Sequence, residues 1–137
     1  MYIFGGYGEG APYLNNLWEY DIATDQWAQL PSGATVRAGH SAVVYQGKMY
    51  VFGGRNSPAM NDLWDYDTST GQWSQLPSGA TVRFWHSAVA YEGKMYIFGG
   101  CNASYTAKND LWAYDTSTGQ WSQLSSGATA RFWHSAV

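Results

Sequence analysis

The side chains with chemistry to offer recur at fixed intervals along this chain. His40, His86 and His134 each follow an arginine by three residues (Arg37, Arg83 and Arg131) and each precede a serine (Ser41, Ser87 and Ser135). Three imidazoles invite a metal-ring reading, yet a zinc or iron site needs three or four donors within about 2.0 to 2.3 Å of one ion. Histidines spread once per unit around a wide axis would not converge so closely, so structural hydrogen bonding is their expected role. A serine beside a histidine on a strand faces the other way, which denies the pair a nucleophile-and-base geometry. The arginines are expected to bond backbone carbonyls or carboxylates, with an acidic group on a partner as the other reading. Asp65, Asp67 and Asp115 occupy repeated positions and do not converge from different elements. Cys101 is the single cysteine, so no disulfide forms within one chain. The sequence therefore predicts no catalytic residue, no metal and no cofactor.

What varies between the units carries more promise. Between the repeated Arg and His stand Ala38-Gly39 in one unit but Phe84-Trp85 and Phe132-Trp133 in the others. The fold does not demand aromatics there. Stacking on a sugar ring, a peptide side chain or a proline is one reading, and packing into a channel is the other. A second variable set lies at 7–14, 55–60 and 101–108, opening with Tyr7, Arg55 and Cys101. Ordinary loop drift competes with a binding role at these positions, since loops are both tolerant and functional.

The elements that must position these residues are set by repetition. Met1 to Gly6 reads MYIFGG, Met49 to Gly54 reads MYVFGG and Met95 to Gly100 reads MYIFGG, at spacings of 48 and 46 residues. A period in this range marks stacked supersecondary units. The repeats run 1–48, 49–94 and 95–137. Segments 64–89 and 112–137 differ at only three positions (Asp65/Ala113, Pro77/Ser125 and Val82/Ala130), the mark of recent duplication or construction.

Within a unit, short apolar runs alternate with turn residues, which predicts an all-β fold of four strands per unit. The expected strands are His40 to Tyr45, Met49 to Phe52, Leu63 to Tyr66 and Gln72 to Leu76, with Gly53-Gly54 ending the second. Met49-Tyr50-Val51-Phe52 is apolar on both sides of the strand, so the sheet must be covered front and back. Radial packing of sheets around an axis supplies that cover. Trp18, Trp64 and Trp112, with Trp27, Trp73 and Trp121, are expected to fill the layers between sheets.

The run Arg-x-x-His-Ser-Ala-Val-x-Tyr-x-Gly-Lys-Met-Tyr-x-Phe-Gly-Gly, followed by Asn-Asp-Leu-Trp-x-Tyr-Asp and a later Trp, resembles the kelch repeat. The resemblance spans essentially the whole chain. It implies a β-propeller that binds partners, most often proteins, through loops on one face. It also places Tyr7, Arg55 and Cys101 at positions that line the ligand face in kelch proteins. Some members are enzymes, including copper oxidases, sugar epimerases and iron-dependent plant proteins. The Tyr-Cys with two-His site and the Glu-x-x-x-Asp-x-x-x-His string of two of those classes are absent here.

Propellers have four to eight blades, and three is too few to close a ring. The sequence begins at a second strand (Met1) and ends inside a first strand (His134 to Val137). Two chains are therefore expected to close a six-bladed homodimer by reciprocal exchange of that strand, with a fragment of a longer propeller as the alternative. Charge adds exclusions: 7 Lys plus Arg against 10 Asp plus Glu gives −3, without a basic stripe for nucleic acid or a membrane anchor. The lack of a signal peptide and a membrane span, together with the single cysteine, favours the cytoplasm. The expected function is a non-enzymatic scaffold for a protein or peptide, with carbohydrate binding as the alternative.

Overall fold

The computed structural model describes the chain from Met1 to Val137, apart from the side chain of Ala11. Its strands form three antiparallel sheets, and among the described residues there is no helix. The first sheet holds β1 (Tyr2–Gly8), β2 (Ala11–Asp21) and β3 (Gln26–Leu30). The second holds β4 (Ser41–Tyr45), β5 (Lys48–Arg55), β6 (Ala59–Asp67) and β7 (Gln72–Leu76). The third holds β8 (Ser87–Tyr91), β9 (Lys94–Phe98), β10 (Leu111–Asp115) and β11 (Gln120–Leu124). Each complete sheet takes its inner strand from the end of one repeat and its other three strands from the next.

Burial follows the apolar-on-both-sides strand. Met49 and Val51 pack with Phe4, Leu17 and Ala34 of the first unit, while Tyr50 and Phe52 pack with Met95, Ile97 and Tyr114 of the third. Side chains alternate across β5, so one strand feeds two separate cores. Trp73 and Trp121 lie across these seams, donating from Nε1 to Pro31 O at 2.9 Å and to Pro77 O at 2.8 Å. The indoles sit on Gly33 and Gly79, where an added Cβ would come within 2.3 and 2.1 Å of the ring. Those glycines are demanded by close approach.

The structure corrects several boundaries. Gly53-Gly54 lies inside β5 rather than ending it, because a bulge after Phe52 absorbs the pair and the strand runs on to Arg55. Gly53 takes φ of 61°, and a Cβ there would meet Arg83 O at 2.8 Å. Only in the third unit does the strand stop before the pair, at Phe98. The inner strands begin at Ser41 and Ser87, one residue after the histidine. The first sheet has three strands rather than four, and His134 to Val137 forms no strand because no sheet edge lies beside it.

The outer faces of the array are correspondingly open. Met1 and Ile3 are 57% and 47% exposed, whereas their counterparts Met49 and Val51 are at 2% and 0%. Trp27 is half exposed where Trp73 and Trp121 are packed, so only part of the expected tryptophan layer is filled. At the opposite end Tyr91 and Leu124 are exposed.

Candidate functional site

The linkers before the inner strands and the loops after β1, β5 and β9 meet on one face. Isolated bridges join Leu14 to Arg37, Ala38 to Arg55 and Phe84 to Cys101, and these backbone contacts bring the variable positions together. Arg55 stands at their centre. Its guanidinium lies 5.0 Å from the Phe84 ring centroid and 5.6 Å from that of Tyr105, and Nη1 donates to the Tyr105 hydroxyl. Cation–π contacts of this kind hold a guanidinium flat against aromatic faces. A cavity of about 140 Å³ opens beside it, lined by Arg55, Ser57, Pro58, Phe84, Ala103 and Tyr105.

Tyr7 reaches the same region. It is 63% exposed, and its ring stands 5.0 Å from that of Tyr13 with the two hydroxyls 3.2 Å apart. The Tyr13 phenol is held below its ordinary pKa, first by the Tyr7 hydroxyl and then by Arg55.

Trp85, 5.7 Å from Tyr105 between ring centroids, and Trp133 extend the site. Their rings are 4.4 Å apart between centroids, and Phe132 lies 5.9 Å from Trp85. Trp133 N donates to Trp85 O at 3.0 Å, and Trp85 N donates to Gly39 O at 2.7 Å, a backbone ladder from unit to unit. All three rungs take positive φ: 67° at Gly39, 57° at Trp85 and 59° at Trp133. Glycine is at ease there, and a bulky side chain costs of order 1 to 2 kcal/mol. Each indole leans on the preceding rung, since a Cβ on Gly39 would meet Trp85 Cδ1 at 2.8 Å. No indole leans on Trp133, which is 71% exposed.

The arginines divide between their two readings, bonding inside the fold and partner contact. Arg37 and Arg83 have no solvent exposure and are spent inside the fold, so they are withdrawn as partner contacts. Arg37 donates to both oxygens of Asp62 at 2.8 and 2.7 Å and to Gly53 O at 2.9 Å. Arg83 does the same with Asp110 at 2.8 and 2.7 Å and Gly99 O at 3.0 Å. Burial alone would raise the two carboxyls, but the guanidinium bonds outweigh it and hold both below the usual carboxylate range. The Arg131 side chain bonds only its own Thr129, and the residue is exposed. Cys101 and Phe84 are also buried, at 0% and 2%. Phe84 acts on the site only as the wall beneath Arg55, and Cys101 points its Sγ at Phe84 O.

The histidines bond across units. Ser41 Oγ and His86 Nε2 are 2.8 Å apart, as are Ser87 Oγ and His134 Nε2. Sequence neighbours do not pair, but the serine of one sheet meets the histidine leading into the next. Burial, helped by the nearby arginines, pushes His86 down to about 3 and His40 down to about 4. Such imidazoles are poor proton acceptors at neutral pH. The contacts act as latches between sheets. No three His, Cys, Asp or Glu side chains cluster among the described residues.

A family model described as the KLHDC2/KLHL20/DRC7 Kelch-repeats domain matches residues 1–137. The chain belongs to the kelch-repeat family. Its three sheets are accordingly kelch blades. Among curated proteins this kelch chain is similar to N-acetylneuraminate epimerase of Escherichia coli strain K12, with 39% identity over 61 residues, 41% of this chain and 17% of the relative. N-acetylneuraminate epimerases of Shigella flexneri and of E. coli strain UTI89 match at the same 39% over 61 residues. The match thus spans about 17% of the length of these relatives.

Two members of the kelch loop face escaped the sequence reading. Tyr105 sits mid-loop with no periodic signal, yet its ring lies 5.5 Å from Phe84 and 5.7 Å from Trp85. Tyr13 is likewise inside a stretch that differs between repeats. An aromatic inside two of the three variable loops was the available clue.

Proposed function

We propose that this chain is a non-enzymatic kelch scaffold that binds a protein or peptide through its loop face and completes its ring as a homodimer. The observation that carries the binding reading is the Arg55 cluster. A guanidinium clamped on Phe84 and Tyr105 beside a small cavity, with Trp133 open next to it, offers one charge and several flat apolar surfaces. Arg and Trp anchors of this type dominate binding energy at protein interfaces. The matching peptide chemistry is an acidic side chain adjoining an aromatic or proline residue.

The homodimer reading is supported by the open faces. Met1, Ile3 and Trp27 at one end and Tyr91 and Leu124 at the other are the counterparts of residues packed at the inner seams.

Carbohydrate binding is the second reading, favoured by the stacked Trp85 and Trp133 rings and by the partial likeness to an epimerase named for a sugar acid. A screen of acidic-aromatic peptides beside a glycan array tests both. The peptide reading expects a hit that Arg55→Ala abolishes. Glycan binding lost on Trp133→Ala, with no peptide hit, would replace it by the carbohydrate reading.

A further inference from the structure

The joint that ties an inner strand to its blade occurs twice inside the chain with the same parts. An arginine in the linker enters from the preceding unit: Arg37 onto Asp62 and Gly53 O, and Arg83 onto Asp110 and Gly99 O. The strand that follows it pairs with its neighbour in one register, Ser41 to Phe52 and Ser87 to Phe98. A serine–histidine latch ties it to the next linker, Ser41 to His86 and Ser87 to His134.

The ends of the array hold the two halves of a third joint. Arg131, exposed and with its guanidinium bonded only to Thr129, leads into the unpaired run Ser135 to Val137. At the other end β1 has no inner strand beside it, and His40 precedes a sheet whose latch serine would come from such a strand. The internal register puts Ser135 opposite Phe4 and Val137 opposite Tyr2.

One part of the third joint differs. Aligning Asn15-Asn16-Leu17-Trp18 with Asn61-Asp62-Leu63-Trp64 and Asn109-Asp110-Leu111-Trp112 puts Asn16 at the carboxylate position. Asp62 receives two guanidinium nitrogens and also Trp64 Nε1 at 2.7 Å, and Asp110 receives Trp112 Nε1 at 2.7 Å in the same way. An asparagine has one carbonyl oxygen and no charge, so it cannot serve a bidentate guanidinium and an indole together.

We propose that Arg131 of one copy closes the ring on Asn16 of a second copy, and that the missing carboxylate makes this joint weaker than the two inside the chain. The proposal rests on the homodimer reading and adds to it where the ring opens. Blades within a chain stay locked by Arg–Asp pairs while the two copies come apart at the Asn16 joints. Assembly is reversible, and residue 16 sets its strength.

A dilution series followed by light scattering on the wild-type chain, Asn16→Asp, and Asn16→Asp combined with Arg131→Ala tests this. Restoring one charge-assisted pair per joint is expected to tighten the dimer about tenfold, and two joints make on the order of a hundredfold. Adding Arg131→Ala should erase that gain. An unchanged dissociation constant in Asn16→Asp, or a gain that survives Arg131→Ala, would refute the assigned joint while leaving the homodimer standing. If the wild-type chain and Asn16→Asp are both monomeric at every concentration, the homodimer reading fails and the joint with it.

Discussion

Arg37 grips both carboxylate oxygens of Asp62 at 2.8 and 2.7 Å from a side chain with no solvent exposure. The guanidinium also reaches Gly53 O, so one buried cation fixes a linker, a bulge and a strand of the same blade. Removing its counter-charge would strand a buried cation, which is far more costly than losing a surface ion pair. Asp62→Ala is therefore expected to lower the free energy of unfolding by about 3 kcal/mol. Urea denaturation measures it. A loss under about 1 kcal/mol would mean that water reaches Arg37 and the joint is not structural.

The buried histidines give the fold a pH dependence. His86 and His40 titrate at about 3 and about 4 in the folded chain against an ordinary 6.5, first because burial disfavours the imidazolium and then because Arg83 and Arg37 lie close. Between these values the unfolded chain binds more protons than the folded one, so stability rises with pH. The full contribution is present above about 6.5 and is lost as pH falls toward 4 and below. From pH 7 to pH 5 the cost is about 2 kcal/mol for His86 alone. Asp62 and Asp110 act lower, since their stabilisation is lost only as pH falls below the ordinary carboxylate value of 3.8. Thermal melts at pH 7, 6 and 5 check this, and a flat melting temperature across that range would contradict it.

Trp133 occupies a left-handed backbone rung that Gly39 fills in the first unit. Strain kept at an exposed site points to a use for the side chain rather than to packing. Asparagine tolerates this conformation, so Trp133→Asn is expected to leave the melting temperature within about 2 °C while weakening ligand binding about tenfold or more. Calorimetry with the best peptide or glycan, alongside a thermal melt, separates the two effects. A collapse of stability with binding intact would reassign Trp133 to the core.

Repetition made the architecture legible. Met49-Tyr50-Val51-Phe52, apolar on both sides, announced a sheet packed front and back, and β5 does feed two cores. The Gly-Gly pair misled because glycine serves equally as a strand terminator and a bulge, and only the Arg83 carbonyl packed against Gly53 decides between them. The loop face was half legible. Tyr7, Arg55 and Trp133 stood out by differing between units, while Tyr105 did not, because a contact spanning 50 residues leaves no local pattern. Arg37 and Arg83 bond backbone carbonyls and carboxylates, the first of their two readings, but which carboxylate, and the full burial they share with Cys101, left no local mark, since sequence gives the type of a side chain and not the group or wall that encloses it.

Trp27 gives a local probe of ring closure. Trp73 and Trp121 sit on Gly33 and Gly79, whereas Gly127 has nothing within 4 Å of its Cβ position. In a closed ring Trp27 covers Gly127 of the second copy. Trp27→Ala is expected to weaken association by at least tenfold, consistent with the 3 to 5 kcal/mol typical of a buried tryptophan, while leaving each chain folded. Far-ultraviolet circular dichroism and sizing at several concentrations report on the two separately, and undiminished association would contradict the seam.

The central claim is that blades bare on one side require flanking blades. Light scattering on the purified chain at micromolar concentration tests it most directly. The account predicts twice the 15.2 kDa chain mass. A folded, stable particle of 15.2 kDa at every concentration would contradict it.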